Sequence, residues 1–136
     1  MSARPDELAR SWLEKARHDL FTARHTLAAP DGPTDTPCFH AQQAVEKALK
    51  ALLTVRDRPC PKIHDLLVLF DGVLAFAPEL DVYREALGLM TAYAVEVRYL
   101  GDGFDPERQE AAEVLGTAEE LVARVEVLVR NTAQNQ

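Results

Sequence analysis

Apolar residues recur every three or four positions along most of the chain, and no segment alternates between apolar and polar residues as a half-buried strand does. The spacing predicts five helices, over about residues 6–29, 36–56, 63–76, 80–100 and 105–130. Short connections between long amphipathic helices favour antiparallel neighbours. The pattern therefore predicts an all-α protein, an up-and-down antiparallel bundle of four to five helices. We expect one domain over residues 1–136, with its core at about 6–130.

Two of the predicted helices have start signals. Thr36 is a suitable N-cap for the second helix, with Pro37 at the first helical position, where no N–H is needed. Asp105 and Pro106 have the same spacing before the last helix. The periodicity also predicts which residues are buried. The expected core stripes are Leu8, Trp12, Ala16, Leu20, Ala23 and Leu27 in the first helix, Ala41, Ala44, Val45, Ala48, Leu49 and Leu52 in the second, and Ala112, Leu115, Ala118, Leu121, Val122, Val125 and Leu128 in the last.

The net charge of −7 is unevenly distributed along the chain. Residues 1–64 carry ten Lys/Arg against eight Asp/Glu, whereas residues 65–136 carry five against fourteen. A protein this acidic does not bind nucleic acid through a broad basic surface, so any RNA contact is expected at a local site or where an oligomer brings basic elements together. The polar N-terminus and the short apolar runs predict a cytoplasmic protein without a membrane span.

The densest polar cluster on an otherwise apolar helix lies in the second helix, within HAQQAVEK. His40, Gln43 and Lys47 stand at i, i+3 and i+7 and line one face, while Gln42 and Glu46 stand at i and i+4 on the adjoining face. Such a stripe can donate to and accept from a base edge, a ribose or a phosphate. The alternative is a solvated face with local ion pairs, such as Glu46 with the lysine four positions later.

Two other helices carry polar residues that suggest chemistry. Asp19 interrupts the inward face of the first helix, and a carboxylate there needs a partner, for which Lys47 and Arg98 are the candidates. Arg98 and Tyr99 precede a glycine turn and offer a guanidinium and a ring, the groups used to recognise phosphates and bases. Alternatively, Arg98 binds the last carbonyl groups of its own helix.

The remaining histidines and cysteines form no known catalytic or metal-binding motif, so no metal or cofactor is expected. His64 and Asp65 fall in the first turn of the third helix, where Asp65 complements the helix dipole or caps the helix. Cys38 and Cys60 lie about 27 Å apart along a helix, which excludes a disulfide. Cys38, near a helix N-terminus, has either a lowered pKa or the role of a small, partly buried residue.

The segment CFHAQQAVEKALKALL resembles the signature helix of HEPN domains, a family named for its occurrence in higher eukaryotes and prokaryotes. ARHDLFTAR resembles the opening of that family, KIHDLLVLF its short third helix, and the stretch from Tyr93 to Tyr99 its fourth, so the resemblance covers about residues 8–128. It implies a helical bundle that usually dimerises and often pairs with a minimal nucleotidyltransferase in toxin–antitoxin or related defence systems. HEPN proteins are metal-independent RNases or non-catalytic nucleotide and RNA binders.

The sequence departs from the RNase members, which carry an Arg followed by four to six residues and a His, placed in a dimer cleft. No histidine follows Arg98. Arg58 and His64 satisfy the spacing, but two prolines separate them, so we interpret that match as accidental.

The leading hypothesis is therefore a homodimeric module that binds a nucleotide or RNA. Its ligand-binding residues would be Gln42, Gln43, Glu46, Lys47, Arg98 and Tyr99, and its supporting residues Asp19, His64 and Asp65. The alternatives are an RNase toxin that uses Arg98 with His40 or His64, and a helical interaction module without a small ligand.

Overall fold

The computed structural model describes residues 3–93 and 105–135, and within them the protein is all-α, as predicted. The α-helices are α1 (Pro5–Ala28), α2 (Asp35–Val55), α3 (Leu66–Leu74), α4 (Arg84–Met90) and α5 (Arg108–Gln134). Two 3-10 helices, Pro78–Tyr83 and Thr91–Tyr93, flank α4. No helix in these ranges is both long enough and apolar enough to cross a membrane.

The three long helices form the main body of the bundle. The helix α2 packs against both α1 and α5, and α3 packs against α2. Two contacts show that α1 and α5 are antiparallel: Arg108 at the start of α5 reaches Leu27 at the end of α1, and Glu126, further along α5, pairs with Arg17 in the middle of α1. The predicted up-and-down arrangement of helices is confirmed.

Small side chains line the inner faces of α1 and α2. Ala9, Ala16 and Ala23 in α1 have no exposed surface. The same holds for four alanines of α2, namely Ala41, Ala44, Ala48 and Ala51. Because a methyl group occupies little space, the two backbones can approach closely. All six residues predicted for the core of α2 are buried.

The core stripes predicted for the first and last helices are partly wrong. Leu8 is 45% exposed and Trp12 is only partly buried, because the inner face of α1 is centred on its alanines and extends to Leu13. In α5, Ala112 is exposed and Ala111 is buried in its place. In both helices the apolar pattern is wider than the buried stripe, so periodicity alone leaves the rotation of the helix open by about one position.

The predicted starts of the second and last helices are also wrong. The helix α2 begins at Asp35, one residue before the predicted cap Thr36. The helix α5 begins only after Glu107, whose backbone is extended (φ −68°, ψ 155°). The residues before the two helices are bonded to each other, because the hydroxyl of Thr34 donates to the carbonyl oxygen of Pro106 over 2.6 Å. This bond joins the starts of the two helices, and residues 105–107 lie outside α5.

The third and fourth helices are shorter than predicted. The carboxylate of Asp65 accepts hydrogen bonds from the backbone N–H groups of Leu67 and Val68, at 3.1 and 3.3 Å, so α3 begins at Leu66. The predicted helix 80–100 is divided: a 3-10 helix precedes α4, and a second follows it. At that second boundary the hydroxyl of Thr91 donates to the carbonyl oxygen of Gly88 over 2.6 Å, which competes with the regular helical hydrogen bonds. Residues 94–100 of this prediction lie outside the described residues.

The turn between α1 and α2 is closed by Arg108. Its Nη1 atom donates to the carbonyl oxygen of Leu27 over 2.6 Å, and Nη2 donates to those of Pro30 and Gly32 over 3.3 and 3.1 Å. Gly32 fits here because it lacks a side chain, since a Cβ atom would lie 2.5 Å from the carbonyl oxygen of Thr26. Three backbone acceptors of the turn thus depend on one side chain of α5.

Candidate functional site

Asp19 joins the first two helices at their polar faces. Its Oδ1 atom lies 2.9 Å from Nδ1 of His40, and its Oδ2 atom accepts a hydrogen bond from Nζ of Lys47 over 2.5 Å. Asp19 is 9% exposed, so the carboxylate end of both bonds is largely shielded from water. An ionised carboxylate only accepts, so Nδ1 of His40 is the donor in this contact. In the tautomer of the imidazole that has its proton on Nδ1, Nε2 is an acceptor.

The face that Asp19 supports is half-exposed. His40, Gln43 and Lys47, which we call the α2 polar row, lie on successive turns of α2, and the His40 and Lys47 side chains are 30% and 24% exposed. The amide Nε2 of Gln43 donates to Oε1 of Gln42 over 3.0 Å. Gln42 itself is buried and lies behind the row. The polar row therefore presents one amine, one amide and one imidazole to the surface.

A second polar cluster surrounds Glu46, which is 2% exposed. Its Oε2 atom accepts from Nζ of Lys50 over 3.2 Å and lies 3.0 Å from Nδ1 of His64. Its Oε1 atom is buried without a hydrogen-bond partner. Lys50 is also buried, with Nζ 5.2 Å from the ring centroid of Trp12. A solvated face is therefore the wrong description of the Glu46–Lys50 pair.

His64 and Asp65 precede α3 rather than lying in its first turn, so the predicted position of both is wrong. Asp65 is the N-cap of α3 and uses its Oδ1 atom for two backbone N–H groups. The His64 side chain is 81% exposed and touches the protein through Glu46. Asp65 thus caps α3, which was one of the two roles predicted for it. His64 contacts the buried carboxylate of Glu46 from the exposed side.

The structure shows one of the two partners predicted for Asp19. Lys47 is bonded to it, whereas Arg98 and Tyr99 lie outside the described residues. Sequence reasoning missed His40 as a second partner. The signal was present, because two donors seven positions apart on one helix can flank a single carboxylate on its neighbour.

The cysteines are free, and neither has a lowered pKa. Burial, with smaller contributions from Glu110 and Asp35, raises the pKa of Cys38 to about 12, so the lowered value considered from the sequence is wrong. Burial is also the main cause that raises the pKa of Cys60, while Lys50 acts in the opposite direction. In residues 3–93 and 105–135, no three His, Cys, Asp or Glu side chains are grouped so that they could hold a metal ion.

Comparison with known proteins places this arrangement in a family. The model of the HEPN domain matches residues 9–128. The chain belongs to the HEPN family. The HEPN signature segment that the sequence indicated coincides with α2, the helix that carries the polar row.

Two solved structures are similar to this HEPN chain. The crystal structure of TT1696 from Thermus thermophilus shares 35% sequence identity and superimposes with a TM-score of 0.70, covering 87% of this chain and 95% of that one. The crystal structure of ST0689, an archaeal HEPN homologue, shares 22% identity with a TM-score of 0.64, covering 94% and 99%. The second likeness concerns the fold alone. No curated protein matches the chain.

Proposed function

We propose that this HEPN protein binds a nucleotide or an RNA end, and that the α2 polar row is the centre of its binding surface. The observation that carries the proposal is the bridge from Asp19 to His40 and Lys47. A buried carboxylate that fixes two half-exposed groups two helical turns apart holds them ready to contact a ligand. Such preorganisation lowers the entropy lost when the ligand binds.

The chemistry of the row suits a nucleotide. An ammonium has three donor hydrogens, so Lys47 keeps two for a phosphate after its bond to Asp19. Gln43 has an amide carbonyl for a base amino group, and Nε2 of His40 can accept from a ribose hydroxyl. Arg98 and Tyr99 would add a guanidinium fork and a stacking ring, as the sequence predicted. Because the chain has a net charge of −7, the fitting ligand is a short one rather than a long duplex.

The proposed context follows the family. HEPN domains of this kind usually form homodimers and pair with a minimal nucleotidyltransferase in toxin–antitoxin or defence-like systems. We propose the same partners here, in the cytoplasm. A dimer would contain two polar rows, each with its own Lys47. This agrees with the expectation that an acidic protein contacts RNA only at a local site or where an oligomer brings basic elements together.

A nucleotide titration tests the proposal. Adenosine monophosphate and a short single-stranded RNA would be titrated into the protein by calorimetry, and into the variants Lys47→Ala and Gln43→Ala. A charge-assisted hydrogen bond contributes about 1.5–3 kcal/mol, so Lys47→Ala should weaken binding about tenfold or more. Lys15→Ala is the matched control, because Lys15 is exposed on the outer side of α1.

The outcomes separate the binding site from a plain interface. Unchanged affinity in both row variants would contradict the site. If no nucleotide or RNA binds, and Gln43→Ala weakens concentration-dependent self-association, the row is an interaction surface without a small ligand. Because Lys47 stabilises Asp19, each variant needs an unfolding curve to show that it is folded at the titration temperature.

One observation favours a metal-independent RNase as a second candidate. The bond from Nδ1 of His40 to Asp19 leaves Nε2 free, which is how a carboxylate orients a histidine that acts as a general base. Lys47 stands beside the same carboxylate and could stabilise charge on a phosphate. RNA cleavage in EDTA, lost in His40→Ala and Arg98→Ala, would support this candidate. If the unaltered protein does not cleave RNA, the binding module stands.

A further inference from the structure

A cavity of about 440 Å³ lies between the N-terminal half of α1 and the C-terminal half of α5. Its volume is in the range of small-molecule sites, about 300–1,000 Å³. Three arginines and two carboxylates surround it, namely Arg10, Arg17, Arg130, Asp6 and Glu126. The cavity is also lined by the apolar residues Leu13, Val129 and Ala133. None of these residues belongs to the α2 polar row or to the Glu46 cluster.

The positive charges of this cavity are only partly neutralised from within. Arg10 lies 3.3 Å from Asp6, at the same Oδ2 atom that Arg4 approaches. Arg17 lies 3.4 Å from Glu126 on the opposite helix. Arg130 forms neither a hydrogen bond nor an ion pair with the part of the chain that the structure describes. Three guanidinium groups thus face two carboxylates, one of them shared with a fourth arginine, although the protein as a whole has a net charge of −7.

The free guanidinium and the apolar floor together indicate the kind of ligand. Arginine keeps its charge at all physiological pH values, and its planar fork matches phosphate oxygens in a bidentate manner. The apolar part of the cavity lining comes from Leu13, Val129 and Ala133, which we call its apolar floor. An inorganic anion would make no apolar contact with this floor, and a hydrocarbon would not pair with the three arginines.

We propose that the cavity between α1 and α5 binds a small organic phosphate monoester. Its phosphate would be held by Arg130 with Arg10 and Arg17, and its apolar or aromatic body would lie on the floor formed by Leu13, Val129 and Ala133. This site is separate from the one proposed on α2, and it does not depend on it.

Titrations with three probes test this site: phenyl phosphate, adenosine monophosphate and inorganic phosphate. Binding would be followed by amide chemical shifts in α1 and α5 of the whole chain. We expect phenyl phosphate and adenosine monophosphate to shift the cavity amides, and inorganic phosphate to bind at least about tenfold more weakly. Equal affinity for phenyl phosphate and inorganic phosphate would overturn the role of the apolar floor, and so the proposal of an organic ligand.

Variants separate the two sites. Arg130→Gln removes a guanidinium without an internal partner, so the fold should be unaffected, and phenyl phosphate should bind about tenfold more weakly. Arg130→Glu should abolish binding. Arg124→Gln is the matched control on the same helix, and Gln43→Ala controls for the α2 polar row; both should bind phenyl phosphate as the unaltered protein does. Binding that is unchanged in Arg130→Glu, or lost in Gln43→Ala, would overturn the cavity site. So would the absence of any binding to the unaltered protein at millimolar concentrations.

Discussion

The Nζ atom of Lys47 lies 2.5 Å from Oδ2 of Asp19, although the two residues are 28 positions apart and belong to different helices. The same carboxylate also holds His40, at 2.9 Å. One acidic residue of α1 therefore fixes two groups of α2 and connects the stability of the α1–α2 pair with the geometry of the proposed binding surface.

Asp19→Asn should reduce the free energy of unfolding by about 1–3 kcal/mol, because it leaves a half-buried ammonium without a counter-charge. The variant Lys47→Met should have a similar cost. Since both single changes break the same bond, the double variant should cost less than the sum of the two. Urea unfolding measures all three, with Glu14→Gln as the control on the exposed side of α1. Strict additivity would show that the bond contributes nothing to stability.

Glu46→Met should destabilise the protein strongly, by about 3–5 kcal/mol, because Lys50 would keep a buried charge without its partner. The double variant Glu46→Met/Lys50→Met removes both charges and replaces them with side chains of similar size. Buried pairs treated in this way are often neutral or more stable. Thermal and urea unfolding would decide the matter: a double variant as unstable as the single one would contradict the account of a costly buried pair.

Ala16→Leu tests the close approach of α1 and α2. Ala16 has no exposed surface, so three additional carbon atoms must displace the neighbouring helix, at a cost of about 1–3 kcal/mol. Ala112→Leu makes the same chemical change at an exposed position of α5 and should alter the free energy of unfolding by less than about 0.5 kcal/mol. Equal effects of the two substitutions would indicate that the helices are not in close contact at Ala16.

The cysteines predict a pH dependence and a labelling pattern. The pKa of Cys38 is raised from 9.0 to about 12, so the folded protein holds this proton more tightly than the unfolded chain does. The resulting stabilisation is fully present below pH 9 and is lost as the pH rises towards 12. Between pH 8 and about pH 10.5, unfolding curves of Cys38→Ala should therefore change less than those of the unaltered protein.

With a thiol reagent at pH 8, Cys60 should react first and Cys38 only after unfolding.

Much of the fold could be predicted from the sequence because its signals are local. The buried face of α2, from Ala41 to Leu52, follows from periodicity alone. The errors concern the rotation of α1 and α5 and the bounds of the helices, which the apolar pattern leaves open by a few positions. At the start of α5, Pro106 is bonded to Thr34, 72 positions earlier, and no pattern around Asp105 reveals that contact.

The candidate site, too, could be predicted only in part from the sequence. The sequence indicated that Asp19 needs a partner, and it named Lys47 among two candidates, because a carboxylate on an inward face is costly when unpaired. It did not indicate that Glu46 is buried, since burial depends on which elements pack against that face of α2. The sequence did not predict the cavity between α1 and α5. It exists because Arg17 and Arg130, which are far apart in the chain, belong to two helices that pack side by side.

Arg108 couples the start of α5 to the turn between α1 and α2. Its guanidinium occupies carbonyl groups of Leu27, Pro30 and Gly32, 76 to 81 positions earlier in the chain. The hydrogen bonds of the turn between the first two helices are therefore complete only when the last helix is docked. In hydrogen exchange, the amides around Gly32 and those at the start of α5 should open together, as one unit rather than as two fraying ends.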